Sequence, residues 1–221
     1  ADFEPVDVVL CPSFTALYAV GQAIKGTRIA LGAQNLHWEK SGAFTGEIMP
    51  AQLLDVGCKH VIIGHSERRQ LFGETNETVS RRTNAALANG LTPIVCVGET
   101  LDQRKTNQTE AVIRAQVQKG LAGLSAESLR KLVVAYEPVW AIGTGLTATP
   151  AQAQDVHAFI RGLLKGMADE ATARAVRIQY GGSVKPANAK ELFDQPDIDG
   201  GLIGGAALEA ASFIAIVKAG T

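Results

Sequence analysis

The sequence predicts an α/β protein with a parallel sheet, and three observations carry that prediction. Apolar, β-branched runs of strand length recur seven times at intervals of about 25 to 45 residues. Amphipathic helical stretches separate them, and parallel strands joined by right-handed helical crossovers satisfy that alternation, in a barrel or in a doubly wound sheet. The last two runs end in Gly181-Gly182-Ser183 and Gly204-Gly205. Bare amides in those loops suit phosphate and favour the barrel. We read residues 1–221 as a single domain.

The elements follow in order. Positions 6–11 form a strand stopped by Pro12-Ser13, and 15–24 carry helical spacing that closes near Gly26. Positions 29–33 deliver Gln34-Asn35 to a strand end; a polar loop, SGAFTGE, spans 41–47, and 49–56 read as helix. The strand 61–63 ends in GHSERR, and a helix over 77–87 stops at Asn89-Gly90. Positions 92–97 end in Gly98-Glu99-Thr100 and feed a helix over 110–118. The fifth strand, 132–136, ends at Glu137. Thr149-Pro150-Ala151-Gln152 combines an N-cap, proline at the first helical position and a capping-box glutamine, which starts a helix running to 164. A strand over 176–180, a short helix over 186–193, a strand at Leu202-Ile203 and a helix over 209–218 complete the pattern.

Composition narrows the function. A net charge of -1 and a pI near 6.5 give no footprint for nucleic acid or an anionic membrane, so an anion must be held locally. Hydrophobic residues make up 46%, yet no run approaches the roughly 18 apolar residues of a membrane span. A soluble protein is expected. Cys11, Cys58 and Cys96 are odd in number and widely spaced, which fits neither a disulfide framework nor a zinc site and suits reducing cytoplasm.

The stretch AYEPVWAIGTG, 135–145, concentrates the chemistry. A carboxylate at the carboxyl end of a buried parallel strand lands on the rim where α/β proteins keep their sites. Glu137 is that carboxylate. Pro138, Val139 and Trp140 make a stiff entry to the loop, Ala141 and Ile142 an apolar tip, and Gly143, Thr144 and Gly145 a freer exit. That is the composition of a lid that closes over a ligand and excludes water. The other distinctive clusters, Gln34-Asn35, His65-Ser66-Glu67, Glu99, Gly181-Gly182-Ser183 and Gly204-Gly205, also fall at strand carboxyl ends, so all should face one mouth.

Through GAQN, SGAFTGE, IIGHSERR, PIVCVGE, AYEPVWAIGTG, QYGGS and IGG, spread over nearly the whole chain, the sequence resembles the triosephosphate isomerase family. The resemblance implies a (β/α)8 TIM barrel with seven of its eight β/α units present in this chain. It also implies interconversion of dihydroxyacetone phosphate and D-glyceraldehyde 3-phosphate, a step of glycolysis and gluconeogenesis, through an enediolate, without metal or cofactor. Glu137 becomes the base and His65 a neutral imidazole that hydrogen-bonds substrate oxygens, kept neutral because it opens a helix. That family's acid/base tuning is a worked example of how one fold runs both chemistries. Backbone amides of Gly143, Ser183, Gly204 and Gly205 would hold the phosphate. Ser66, Glu67, Glu99 and Cys96 become supporting groups. Thr45, Gly46 and Glu47 become a loop that inserts beside a partner's site in a homodimer, with Arg68 and Glu47 as interface ions. His37, His60 and His157 are read as packed residues.

Two departures stand out. Leu146 occupies a lid-exit position where many relatives carry Lys. More consequentially, the family begins with a strand ending in Asn-x-Lys, whose Lys binds substrate and pairs with Glu67, whereas this chain starts at Ala1 on the segment resembling the second strand. The expectation is an incomplete barrel that binds triose phosphate weakly and turns it over slowly. The alternative is a degenerate barrel that binds phosphate or dimerises without appreciable isomerase activity. A different phosphate-binding barrel enzyme would explain GGS and IGG but not GHSERR with AYEPVWAIGTG.

Overall fold

The computed structural model describes residues 6–142, 144 and 146–221. Six strands, β1 (Val9–Leu10), β2 (Ala30–Ala33), β3 (His60–Ile63), β4 (Thr92–Val97), β5 (Val133–Tyr136) and β6 (Arg177–Tyr180), pair in sequence order, and every pair is parallel. Sequential order with helical crossovers is the barrel arrangement, and the sheet curls accordingly. Asp7, just before β1, reaches Arg177 at the start of β6 with Oδ2 2.6 Å from Nη1.

The pleat sorts side chains into two sets. Ile62, Ile94, Cys96 and Ala135 point into the curled sheet and form a small interior cluster with Cys11, Val133 and Leu202. Their strand neighbours Val61, Ile63, Val95, Val97, Val134 and Tyr136 point outward and join the main core under the helices. Because a strand repeats every two residues, Val133, Ala135 and Glu137 share the inner face. The register pairs Cys96 with Ala135 and Ala135 with Gln179, which brings the strand ends to one level.

Helices α1 (Leu17–Ala23), α2 (Pro50–Asp55), α3 (Ser66–Leu71), α4 (Asn76–Ala88), α5 (Leu101–Lys105), α6 (Thr109–Gly120), α7 (Ala126–Leu129), α8 (Pro150–Met167), α9 (Glu170–Ala175), α10 (Ala189–Phe193) and α11 (Ala210–Lys218) make the crossovers. The capping box read at Thr149 opens α8, with Gln152 N–H donating to Thr149 Oγ1 at 3.2 Å and Thr149 N–H to Gln152 Oε1 at 3.0 Å. Short helices α5, α7 and α9 were not expected from periodicity. Each is begun by a side-chain cap, at Thr100, Ser125 and Asp169, because a helix this short presents too few apolar positions for a stripe.

The expected strand at Leu202-Ile203 is reduced to one parallel bridge, Tyr180 to Gly201. Gly200 at φ +149° and the neighbouring Gly201 leave too little regular backbone for a longer ladder. Side chains hold the segment instead. Arg161 on α8 donates to Asp197 Oδ1 at 2.6 Å, to Asp199 Oδ2 at 2.7 Å and to the Ala173 carbonyl at 2.8 Å. Asp199 also accepts the Ile178 amide of β6 at 2.7 Å. This partly exposed fork holds the segment that leads to Gly204-Gly205.

Candidate active site

Glu137 follows the last residue of β5 and is 2% exposed. An unpaired carboxylate at that depth is costly, and three donors receive this one. The Ser66 amide donates to Oε2 at 3.0 Å and its hydroxyl to Oε1 at 3.4 Å; His65 Nε2 lies 2.9 Å from Oε1. The close approach demands glycine on the neighbouring strand end. A Cβ on Gly98 would stand 1.8 Å from the Glu137 carbonyl oxygen.

His65 caps α3, and its Nδ1 accepts the Glu67 amide at 3.3 Å. That bond requires a lone pair on Nδ1, so the proton sits on Nε2 and is donated to Glu137. Burial works to lower the His65 pKa, but the Glu137 hydrogen bond and charge, with Glu67 behind them, carry it above the ordinary imidazole value. The helix end and the carboxylate therefore act in opposite directions. Protonating Nδ1 would forfeit the Glu67 amide contact, while the carboxylate draws the ring toward imidazolium. Burial pushes the Cys96 thiol well above its ordinary value, and Glu137 adds to the rise, so Cys96 stays a neutral thiol.

Glu137 and His65 open onto a cavity of 1540 Å³ also lined by Gln34, Ser183, Gly204 and Gly205. It is larger than a small-ligand pocket needs because it runs from this polar mouth down an apolar seam between Val9, Leu10 and Leu202. A Cβ on Gly204 or Gly205 would meet nothing within 4 Å, so packing does not explain either glycine. The structure thus brings together Glu137, His65, Ser66, Cys96, Ser183, Gly204 and Gly205. Glu67 lies at the rim, mostly exposed. Gly143 and Gly145, expected in the phosphate cradle and the lid, lie outside the described residues.

The entry to the expected lid is firmly held. Val139–Ala141 make one 3-10 turn, Ala141 N–H donates to the Pro138 carbonyl at 2.7 Å, and Trp140 is buried. Its Nε1 donates to Glu99 Oε1 at 2.9 Å. Glu99, wholly buried, also accepts from Tyr136 Oη at 3.1 Å and pairs with Arg104 at 3.2 Å. Glu99 therefore sits beneath the expected lid and not in the mouth. Ile142 lines the cavity, Thr144 Oγ1 donates to the Trp140 carbonyl at 2.6 Å, and Leu146 is exposed.

Thr45, Gly46 and Glu47 are exposed and stand apart from the cavity lining. A turn from the Glu47 amide to the Phe44 carbonyl, 3.0 Å, shapes this loop, and Phe44 leans on His37 with ring centroids 4.5 Å apart. Arg68 pairs with Glu74 and stacks over Phe72. His157 is packed within the fold, its Nδ1 3.1 Å from the Asp197 carbonyl, and burial lowers its pKa to about 4. Sequence reasoning did not single out Arg69, Arg104 or Arg161; Thr100 with Gln103 was the one local signal near any of them. Among the described residues, no group of three or more His, Cys, Asp or Glu side chains could hold a metal ion.

Replacing Glu137 with Gln removes the charge that raises His65, leaving burial as the largest influence. The His65 pKa is expected to fall below the ordinary imidazole value, as read from its Cε1–H resonance in an NMR titration; an unchanged midpoint would show that the contact does not persist in solution.

A protein-family model for triosephosphate isomerase matches residues 1–220. Three relatives, each named triosephosphate isomerase, are 59% identical to the chain. That of Herpetosiphon aurantiacus aligns over 98% of this chain and 87% of its own length. That of Carboxydothermus hydrogenoformans aligns over 98% and 86%, and that of Endomicrobium trichonymphae over 96% and 85%.

Proposed function

The chain belongs to the triosephosphate isomerase family and is an isomerase of that class, and we propose that Glu137 is the base and His65 the electrophile of its reaction. The substrate pair is dihydroxyacetone phosphate and D-glyceraldehyde 3-phosphate. The observation that carries the assignment is the Glu137–His65 contact of 2.9 Å at a buried strand end. Nε2–H, which Glu137 receives, is a donor at the edge of the mouth. A substrate carbonyl that takes it up leaves Glu137 free to accept a carbon-bound proton, while the same donor steadies the charge that develops on oxygen. Lid closure would make both interactions stronger by removing water. The amides of Ser183, Gly204 and Gly205, with Gly143, receive the phosphate, and the process needs no metal or cofactor. A cytoplasmic place in glycolysis and gluconeogenesis suits this substrate, and the near-neutral charge supports no nucleic-acid or membrane partner. Among the described residues no helix is long and apolar enough to cross a membrane.

We also propose a homodimer. The loop carrying Thr45, Gly46 and Glu47 is exposed, and Phe14, Tyr18 and Phe72 are large apolar side chains also left exposed. Such residues are usual at the centre of an interface.

Glu137→Asp retracts the carboxylate by one methylene and is expected to lower kcat about a hundredfold with an unchanged circular dichroism spectrum. A coupled assay showing near-normal turnover would remove Glu137 from the mechanism. Gly205→Ala places its methyl in open space, so thermal stability should hold while affinity for inorganic phosphate falls about tenfold by calorimetry; unaltered affinity would move the phosphate elsewhere. Light scattering should give twice the mass of one chain at assay concentrations, and an active monomer would contradict the dimer.

A further inference from the structure

Arg69, the second arginine of GHSERR, is not used by the mechanism above. It lies on α3, four residues after His65 and so on the same helical face. Its guanidinium is half-buried, and each nitrogen has a partner. Nε–H donates to the Gly64 carbonyl at 2.8 Å, Nη1–H to Asn76 Oδ1 at 2.8 Å and Nη2–H to the Cys96 carbonyl at 3.2 Å. The Gly64 carbonyl belongs to the peptide that carries the His65 nitrogen, so holding it fixes the plane from which His65 departs. Gly64 sits at φ +70°, and a Cβ there would stand 2.7 Å from Val79 Cγ2 and 3.1 Å from Arg69 Nη2. The Cys96 carbonyl belongs to the residue whose thiol pKa Glu137 helps to raise. One planar fork therefore spans the ends of β3 and β4. Arg69 and Glu137 also line the same rear cavity of 120 Å³, with Ser66, Gly98 and Gln116.

We propose that Arg69 is a positioning residue for the isomerase reaction, its fork setting His65 against Glu137 through the Gly64 and Cys96 carbonyls. The inference rests on the assignment of Glu137 and His65 above. Burial lowers the Arg69 pKa, and Glu74 and Glu137 work against that fall, yet an arginine stays charged throughout the working range. The charged and titratable groups that bear on the Glu137–His65 pair are Glu67, Arg68 and Arg69 from the β3–α3 segment and Cys96 from β4. Arg69 is a cation near Glu137 that acts at a distance and not by contact. A lysine could keep that charge but not the three-way fork.

The test compares Arg69→Lys and Arg69→Gln in the whole chain, with Glu137→Gln alongside. The His65 Cε1–H resonance is followed by NMR titration, and kcat and KM come from the coupled assay. Arg69→Lys should lose about tenfold in kcat with KM little changed and lower the His65 midpoint, because a ring no longer held against Glu137 loses the hydrogen bond that raises it. Arg69→Gln should lose more in kcat and lower that midpoint further. A folded Arg69→Lys variant with wild-type kcat overturns the positioning role. An unmoved His65 midpoint in folded Arg69→Gln overturns it as well, and failure of both variants to fold would make the role purely structural. If Glu137→Gln keeps full turnover, the assignment of the base fails, a result the His65 titration in the Arg69 variants would not produce.

Discussion

The site depends on receiving one buried negative charge. Glu137 leaves β5 on the inner face of the curled sheet, where water cannot reach it, and the fold must supply hydrogen-bond donors at that point or bear a penalty of several kcal/mol. It supplies them from the turn after β3. The Ser66 amide is one of the unpaired N–H groups at the start of α3, and His65 and the Ser66 hydroxyl flank it. Parallel pairing in register is what sets the two strand ends at the same height, so the sheet and the site are consequences of the same ladder.

The turn itself is tightly determined. Gly64 must take a positive φ, and the space beside it is filled by Val79 and Arg69. His65 then becomes the cap of α3 and its ring is oriented by the Glu67 amide. The entry to the expected lid is built with equal economy, since Trp140 is anchored to the carboxylate that also receives Tyr136, the last residue of β5.

Much of this arrangement was legible in the residues. The first six strands lie within or one residue beyond the expected runs because each is an apolar stretch bounded by a glycine, proline or polar break. The box at Thr149 marked the start of α8, and the grouping of Glu137, His65, Ser183 and the Gly204-Gly205 pair followed from their places at strand ends. Leu202-Ile203 was less secure, since two apolar residues beside two glycines hold strand geometry only if a neighbour supplies the ladder. The arginines were harder still. Arg69 meets the carbonyl of Cys96, 27 positions away, and Arg161 meets Asp197, 36 positions away, so nothing in their immediate sequence distinguishes them from solvated charges. Thr100 with Gln103 and Ser125 with Ser128 were signals of short helices, but without an apolar stripe behind them they read equally well as turns.

Two carboxylates end neighbouring strands, and their partners separate their roles. Glu99 is held by the Arg104 cation together with the Tyr136 hydroxyl and the Trp140 indole. An ion pair reinforced by neutral donors holds a carboxylate in place, which suits an anchor for the loop that follows β5. Among the described residues no cation is in hydrogen-bond contact with Glu137; its donors are an amide, a hydroxyl and an imidazole. Each of those binds a carboxylate less tightly than a guanidinium would, and the imidazole can turn its proton toward another oxygen. On the proposed assignment, a carboxylate so held is free to take a proton and to give it back. The difference between an anchor and the proposed base therefore lies in whether an arginine touches the carboxylate or stands one carbonyl behind it.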